Sequence, residues 1–195
     1  MHNSVPAHIK GLIFDLDGTL VNTMPMHYQA WLDTMQTKNA DFPEPLFYEL
    51  AGVPSDKIVV ILNEKFGYDL DPKAIAHEKE HLFLERYVPQ VQPIEAVVAI
   101  AQAYKGKLPM AVATGGIPVV SKALLNAINM SDFFETLVTS VDVVNGKPAP
   151  DTFLEAARRR GIEPALCQVY EDSDAGLEGA RRAGMMGVDI RAWLK

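Results

Sequence analysis

Two aspartates near the start of the chain stand in a pattern that could do chemistry. Asp15 and Asp17 follow the short apolar run 11–14, and Gly18 and Thr19 come directly after them. Burying unpaired carboxylates is costly, so this pair favours a positive partner, for which a hard divalent cation is the natural candidate. Gly18 would turn the backbone sharply with its amide exposed, and the Thr19 hydroxyl could contact an anion. An Asx-type turn that binds nothing is the alternative interpretation.

Polar groups also follow later apolar runs, and they could serve the same reaction. They are Thr114 with Gly115 and Gly116, Lys147 in a later loop, and Glu171 with Asp172. Each has an ordinary explanation, as a turn, an exposed lysine or a helix start. In open α/β sheets, however, ligands gather beyond the carboxyl ends of the strands. We therefore expect these groups to meet at one edge of one sheet.

Together these groups match phosphoryl transfer, which needs positioning and charge neutralisation. Asp15 lies nearest its strand and is the expected nucleophile, which would form an aspartyl-phosphate. Asp17 would protonate the leaving oxygen and later deprotonate water. Lys147 would stabilise the attacking carboxylate and the phosphoryl oxygens. Mg²⁺ between Asp15, the Asp17 carbonyl and Asp172 would neutralise the remaining charge.

The elements that must position these groups form an interrupted α/β pattern. From residue 94 onward, short apolar runs alternate with helical stretches, which indicates β-α units around a parallel sheet. Strands are predicted at 110–113, 136–139, 168–170 and 187–190. Residues 23–88 instead predict about four helices, including one over 56–66 that Ser55 would cap. A later helix is predicted over 152–160, with Asp151 as its cap.

Composition excludes several classes of partner. The chain has 195 residues, a net charge of −7 and a pI of about 5.2, which argues against nucleic acid and anionic membranes as partners. The single Cys167 excludes an internal disulfide. Residues 1–8 lack a secretory pattern, and no apolar run approaches membrane-spanning length. We expect a cytoplasmic protein, and a monomer because no exposed apolar stripe stands out.

The ordered motifs resemble those of a known family. Asp15-Leu-Asp-Gly-Thr, Thr114, Lys147-Pro and Glu171-Asp172-Ser173 are similar to the four motifs of the haloacid dehalogenase-like phosphatases. The resemblance covers essentially the whole chain and extends to the β-phosphoglucomutase-like branch, including bacterial sugar-phosphate phosphatases that act on substrates such as fructose 1-phosphate. It implies a Rossmann-like doubly wound parallel-sheet core over residues 1–22 plus 89–195, with an inserted all-helical cap domain over 23–88.

The resemblance also implies roles for the motif residues. Asp15 would be the nucleophile, Asp17 the acid/base, and Thr114 and Lys147 phosphate contacts. Asp172 would bind Mg²⁺ together with Asp15 and Asp17, and Glu171 would support the metal. The remaining expected substrate contacts around the phosphate are Gly18, Thr19, Gly115 and Gly116.

Two stretches of the insertion bear on the substrate. The segment from Thr23 to His27 resembles the hinge of the cap, where His27 could contact Asp17 or substrate, although a surface histidine is an equal alternative. The segment from Gly52 to Ser55 resembles the substrate-specificity loop, so Gly52 and Ser55 are expected substrate contacts. In the mutases of this branch an arginine there holds a second phosphate, and a neutral hydroxyl cannot bind phosphate bidentately.

These observations predict a Mg²⁺-dependent phosphatase that hydrolyses small phosphorylated sugars. A sugar-phosphate mutase is the first alternative. A non-enzymatic phospho-Asp receiver is the second, because receivers also combine acidic residues, a threonine and a lysine on an α/β sheet. The helical insertion speaks against a receiver, which has no need to enclose a small substrate. Turnover would separate the two, since a receiver stays phosphorylated.

Overall fold

The computed structural model describes residues 5–194 as an α/β protein with a helical insertion. Its strands are β1 Gly11–Phe14, β2 Val21–Asn22, β3 Gln92–Pro93, β4 Met110–Ala113, β5 Leu137–Val138, β6 Cys167–Glu171 and β7 Met186–Asp189. Its α-helices are α1 Met24–Gln36, α2 Glu44–Glu49, α3 Ser55–Phe66, α4 Pro72–Leu82, α5 Glu95–Tyr104, α6 Pro118–Ala127, α7 Asp151–Arg160 and α8 Asp174–Arg182. None of these helices has the length and apolar character that crossing a membrane requires. The expectation about a secretory signal falls partly on residues outside this range.

The main sheet is parallel and has helices on both faces. Its strand order is β5-β4-β1-β6-β7, with β1 at the centre. Successive residues of β1 point to opposite faces, so Leu12 and Phe14 join one apolar cluster with α5 and α6, whereas Ile13 joins another with α7 and α8. The predicted doubly wound, Rossmann-like core is confirmed. Because β1 is central, Asp15 follows it between the ends of β4 and β6.

Two strand lengths differ from the prediction. The strand expected over 136–139 pairs only at Leu137 and Val138. The strand expected over 168–170 runs from Cys167 to Glu171, because β7 continues the pairing as far as Asp189. Glu171 therefore belongs to a buried strand end rather than to the loop after it.

The insertion between β1 and β4 contains α1 to α4, and α4 continues into a π-helical turn over Phe83–Tyr87. It has an apolar cluster of its own, built around Trp31, Phe42 and Leu62. A two-stranded antiparallel pair, β2 with β3, joins its two connections to the core. Strands of two residues carry no readable period, so the sequence did not predict this pair. The domain boundaries at 22/23 and 88/89 stay a prediction.

Both predicted helix caps are wrong. Ser55 is the first residue of α3, and its hydroxyl donates to Glu80 Oε1 (2.6 Å). Asp151 is likewise the first residue of α7 and accepts a hydrogen bond from Asn145 Nδ2 (3.0 Å). In each case a proline occupies the N-cap position. The polar side chains pair with other segments instead, which a local capping rule cannot anticipate.

Candidate active site

The carboxyl ends of β1 and β6 bring two carboxylates onto one buried lysine. Lys147 Nζ donates to Asp15 Oδ1 (2.5 Å) and to Glu171 Oε2 (2.7 Å). The side chains of all three are at most 6% exposed. The aromatic ring of Phe153 lies 5.0 Å below the ammonium group. The predicted juxtaposition of Asp15 with Lys147 is thus present in the fold.

Burial and the neighbouring charges both act on the pKa values of Asp15 and Lys147. Burial raises the pKa of Asp15 well above its ordinary value, and the neighbouring Glu171 carboxylate raises it further against the opposing effect of Lys147. Burial lowers the pKa of Lys147, but Asp15 and Glu171 outweigh burial and leave the pKa above its usual range. Lys147 is therefore a permanent cation, and Asp15 needs more positive charge than Lys147 supplies to stay ionised.

Asp172 completes a group of three carboxylates. Oxygens of Asp15, Glu171 and Asp172 lie within 4.8 Å of one another. Asp172 Oδ1 accepts a hydrogen bond from Thr19 Oγ1 (3.0 Å). Burial, and next Glu171, raise the pKa of Asp172 to about 7. When all three carboxylates are ionised, they and the one ammonium group carry a net charge of −2, which a divalent cation with oxygen ligands would neutralise.

The donor set therefore fits Mg²⁺, but its members differ in how free their oxygens are. Glu171 Oε1 accepts from the Ser173 hydroxyl (2.8 Å) and from the backbone amides of Ser173 (3.0 Å) and Asp172 (3.2 Å), while Oε2 accepts from Lys147. Glu171 consequently orients its neighbours. Asp15 and Asp172 have the freer oxygens. The Asp17 carboxylate is not in this group, and the predicted contact through its carbonyl stays a prediction.

Two expectations for the turn after β1 need correction. The Gly18 amide is not exposed, since it donates to the Val21 carbonyl (2.8 Å). The Thr19 hydroxyl donates to Asp172 and is not directed at an anion from the substrate. The glycine itself is required, because φ is +81° and a Cβ there would lie 2.2 Å from Asp172 Oδ2. Both residues thus serve to seat Asp172 beside β1.

Asp17 lies apart from the lysine cluster and pairs with residues of the insertion. His27 Nε2 and Thr23 Oγ1 each lie 2.9 Å from Asp17 Oδ1. On the core side, Thr114 Oγ1 lies 3.4 Å from Asp17 Oδ2. His27 makes one of the two contacts predicted for it, the one with Asp17, so it is not a surface histidine. Its ring also stacks on Phe83, with centroids 3.8 Å apart.

Lys79 fixes which nitrogen of His27 carries the proton. Lys79 Nζ lies 2.8 Å from His27 Nδ1, and an ammonium group can only donate, so Nδ1 accepts. Nε2 then carries the hydrogen that is donated to Asp17. Burial, followed by the Lys79 charge, lowers the pKa of His27, which keeps the ring neutral. Burial raises the pKa of Asp17, but the hydrogen bonds from His27 and Thr23 bring it below its ordinary value.

The cap loop meets the core at a second place. A Cβ on Gly115 would lie 3.3 Å from the Gly52 carbonyl oxygen, so the two loops approach closely and a side chain at Gly115 would press them slightly apart. Gly116 donates its amide to Thr114 Oγ1 (2.9 Å) and thereby orients that hydroxyl. Ser55 begins α3 three residues after Gly52, and its hydroxyl is bonded to Glu80. Substrate contacts by these loop residues stay predictions.

The sequence interpretation missed Lys79, Glu80 and the Thr23 side chain. A signal for Lys79 was present, because Ile75, Lys79 and Phe83 follow one another at helical spacing and all three are buried. A charged residue on the apolar face of a helix needs a partner, and here the partners are His27 and Glu80.

Comparisons with known proteins agree with this geometry. Residues 12–189 match the family described as haloacid dehalogenase-like hydrolase. The fructose-1-phosphate phosphatase YqaB of Escherichia coli is 38% identical over 93% of this chain and 96% of its own. The β-phosphoglucomutase of Bacillus subtilis is 24% identical over 93% of this chain and 83% of its own. A hydrolase structure from Pseudomonas syringae superposes with a TM-score of 0.83 at 26% identity, covering 92% of this chain and 84% of that one.

A match that spans nearly the whole chain settles the family, and the phosphatases among the relatives agree with the carboxylates and the lysine gathered at the strand ends. The chain belongs to the haloacid dehalogenase-like hydrolases, in their β-phosphoglucomutase-like branch, and is a phosphoric monoester hydrolase.

Proposed function

We propose that this enzyme hydrolyses small phosphorylated sugars through an aspartyl-phosphate, with fructose 1-phosphate-like esters as the favoured substrates. The observation that carries the proposal is the separation of two aspartates into two environments. Asp15 is bound to the permanent cation Lys147, whereas Asp17 is bound to neutral His27. Two neighbouring carboxylates in different environments are suited to nucleophile and acid/base roles. The similarity to the E. coli phosphatase supports the choice of substrate class.

In the first step, an oxygen of Asp15 attacks phosphorus, and the bond between phosphorus and the sugar oxygen breaks. Asp17 gives the leaving oxygen a proton, which it must take up as the substrate binds, because in the free site Thr23 and His27 donate to it and hold its pKa below the ordinary value. In the second step, Asp17 takes a proton from water as the water attacks the aspartyl-phosphate, which restores Asp15 and releases inorganic phosphate. Lys147 stays charged throughout and stabilises the phosphoryl oxygens, helped by the Thr114 hydroxyl.

Mg²⁺ would be held by Asp15, Asp172 and the Asp17 carbonyl, with Glu171 orienting Lys147 and the Asp172 amide. When bound, such a cation supplies positive charge to the phosphoryl oxygens and to the crowded carboxylates. The residues of the chain position the nucleophile, transfer the proton and exclude water.

Hydrolysis is favoured over mutase activity by the residue at the cap loop. Ser55 offers a neutral hydroxyl, and that hydroxyl is already committed to Glu80 at 2.6 Å. A mutase must hold a second phosphate at the far end of its substrate, for which a bidentate cation is the usual device. With no such group at Ser55, water is the expected acceptor of the phosphoryl group from Asp15.

The test is phosphate release from a panel of sugar monophosphates with Mg²⁺, repeated with a chelator and with Asp15→Asn. We expect metal-dependent release that Asp15→Asn lowers by at least about a thousandfold, because the nucleophile is lost while the fold is kept. Asp132→Asn is the matched control, since Asp132 is an exposed aspartate away from the site, and it should retain full activity.

The possible results separate the proposals. Activity that survives Asp15→Asn would overturn the assignment of the nucleophile. A stable aspartyl-phosphate without phosphate release would favour the receiver, and conversion of one sugar phosphate into its isomer faster than hydrolysis would favour the mutase.

A further inference from the structure

We propose that Glu80, together with Ser55, selects substrates that carry a single phosphate, by accepting hydroxyl groups from the neutral end of the sugar and repelling a second phosphate. The inference rests on the proposed function and adds a specificity-determining residue to it. Neither the motifs nor the catalytic roles assigned above involve Glu80.

The position of Glu80 follows from an unbroken series of contacts that starts at the acid/base carboxylate. Asp17 contacts His27, His27 contacts Lys79 Nζ, and Lys79 Nζ donates to Glu80 Oε1 (3.1 Å). Ser55 donates to the same oxygen at 2.6 Å. The series therefore runs from the reacting centre to the start of α3, next to the loop whose Gly52 carbonyl approaches Gly115 of the core. A sugar bound at Asp17 would extend along this part of the cap.

The charges along this series leave nothing positive for a second phosphate. Lys79 is 3% exposed, lies between the rings of Trp31 and Phe83, and is bonded to both His27 and Glu80. Lys79 is the one ammonium group of this series, and its hydrogen bonds go to His27 and Glu80, so it is already paired. Asp56 and Lys57, which follow Ser55, carry opposite charges. A second phosphate would therefore meet the Glu80 carboxylate, with no unpaired ammonium group of this series beside it.

Glu80 can also contribute attraction for a neutral sugar. Its side chain is 18% exposed, and it is bonded to Ser55, which begins α3 three residues after the Gly52 carbonyl that approaches Gly115 of the core. Among the described residues, only Oε1 receives hydrogen bonds, from Ser55 and Lys79, which leaves Oε2 as an acceptor. A sugar hydroxyl that donates to a partly buried carboxylate makes a charge-assisted hydrogen bond. The same oxygen that repels a phosphate therefore binds a polyol.

The experiment compares the best monophosphate of the panel with the same ester carrying a second phosphate. Fructose 1-phosphate and fructose 1,6-bisphosphate are such a pair, with fructose 6-phosphate identified as the product of the second. The measured quantity is the ratio of the two kcat/KM values. We expect the unmodified enzyme to prefer the monophosphate, and Glu80→Gln to lower that preference about tenfold, as loss of one nearby charge would.

Glu78→Gln is the matched control, because Glu78 lies on the same helix but pairs with Lys38 at 2.8 Å in an exposed position, and it should leave the ratio unchanged. Ser55→Arg is a second variant that adds positive charge at the same place and should lower the preference as well. A purely structural role of Glu80 would reduce both kcat/KM values in proportion and leave the ratio constant.

The outcomes distinguish this inference from the proposed function. Equal use of both esters by the unmodified enzyme, or a ratio that Glu80→Gln and Ser55→Arg do not change, would overturn the role of Glu80 while leaving the phosphatase intact. Failure of the unmodified enzyme to hydrolyse any ester of the panel would overturn both.

Discussion

Lys79 links the cap to Asp17, the proposed acid/base residue, through a single histidine. Its ammonium group is buried and donates to His27 Nδ1 (2.8 Å), so the opposite ring nitrogen is held as a donor toward Asp17. The Asp17 side chain can protonate a leaving group only when its carboxyl group lies within hydrogen-bond distance of the leaving oxygen. Lys79 touches neither the reacting atoms nor Asp17, and it is therefore a positioning residue.

Replacing Lys79 by methionine tests this role. The substitution keeps an unbranched apolar stem between Trp31 and Phe83 but leaves His27 free to change tautomer. We expect kcat to fall by roughly ten- to a hundredfold, while KM changes little; loss of positioning should cost less than the roughly 10²- to 10⁴-fold that the acid/base group itself contributes. The pH dependence of kcat should shift as well, since the charge beside His27 is gone.

The stability readout distinguishes positioning from packing. Lys79→Met removes one partner of a largely buried ion pair and leaves Glu80 bonded to Ser55 alone, so the free energy of unfolding in urea should fall by up to about 3–5 kcal/mol. A loss of kcat measured well below the unfolding transition then reflects positioning and not unfolding. Lys38→Met, which removes the exposed partner of Glu78, is the control and should leave kcat unchanged. A variant of Lys79 that keeps normal kcat and its pH profile would show that the lysine serves packing alone.

Among single residues, the sequence predicted the charged groups at the strand ends but not Lys79, which lies in the cap behind His27. Asp15, Lys147, Glu171 and Asp172 meet because parallel strands carry their carboxyl ends to one edge. Lys79 looked like one of several charged residues in a polar helix. Its partner His27 lies 52 residues earlier in the chain, and no local pattern relates two such distant positions.

Among the secondary-structure elements, the turn after β5 depends on one carboxylate. Asp142 Oδ2 accepts from the amide (2.8 Å) and the hydroxyl (2.7 Å) of Thr139, which forms a capping box over Ser140–Asp142. Asp142 Oδ1 accepts from Arg159 Nη2 of α7 (2.6 Å). This carboxylate therefore connects the edge of the sheet to the helix that covers it.

These bonds predict how stability depends on pH. The hydrogen bond from Arg159, and next those from Thr139, lower the pKa of Asp142 to about 2 from an ordinary value of 3.8. A carboxyl group whose pKa is depressed by folding stabilises the fold above its unfolded pKa and loses that contribution as pH falls toward the folded one. Asp142→Asn should thus lower Tm at pH 7, and the difference from the unmodified protein should shrink between about pH 4 and pH 2.

Thermal unfolding followed at several pH values measures this difference. Because the carboxylate is partly exposed, the contribution is screened and the shift in Tm should be small, on the order of a few degrees. Asp132→Asn changes an exposed aspartate and should give no such pH-dependent difference. A constant difference across the pH range would contradict the role of the ionised group.

The elements themselves could be predicted where their apolar periodicity is long enough. The helices of the insertion and the strands β1 and β4 lie where the pattern placed them. The misjudged features were those decided by distant partners. Ser55 bonds to Glu80 of another helix, and β2 pairs with β3 across about 70 residues.

For the whole molecule, the central fact is that an acidic chain gathers negative charge in its interior. The net charge of the protein is −7, and three of its carboxylates crowd within 4.8 Å at the end of the sheet. Folding without a cation therefore brings like charges together in a buried place, which opposes the packing of the two halves of the sheet around β1. Binding of a divalent cation would remove this opposition and couple to global stability.

Mg²⁺ should accordingly raise the Tm of the unmodified protein, and it should raise the Tm of the Asp172→Asn variant by less. At a concentration of one hundred times Kd, a bound ion stabilises the fold by about 2.7 kcal/mol, which raises Tm by roughly 5–10 °C for a chain of this size.

The pKa of Asp172, raised to about 7, means that its ionisation destabilises the fold as pH rises from the unfolded value toward 7. Asp172→Asn should therefore have a higher Tm than the unmodified protein at pH 8 in chelator, and a smaller gain when Mg²⁺ is added. Thermal unfolding with chelator or with Mg²⁺ measures both effects, and an equal response of the two proteins to Mg²⁺ would show that the ion binds elsewhere.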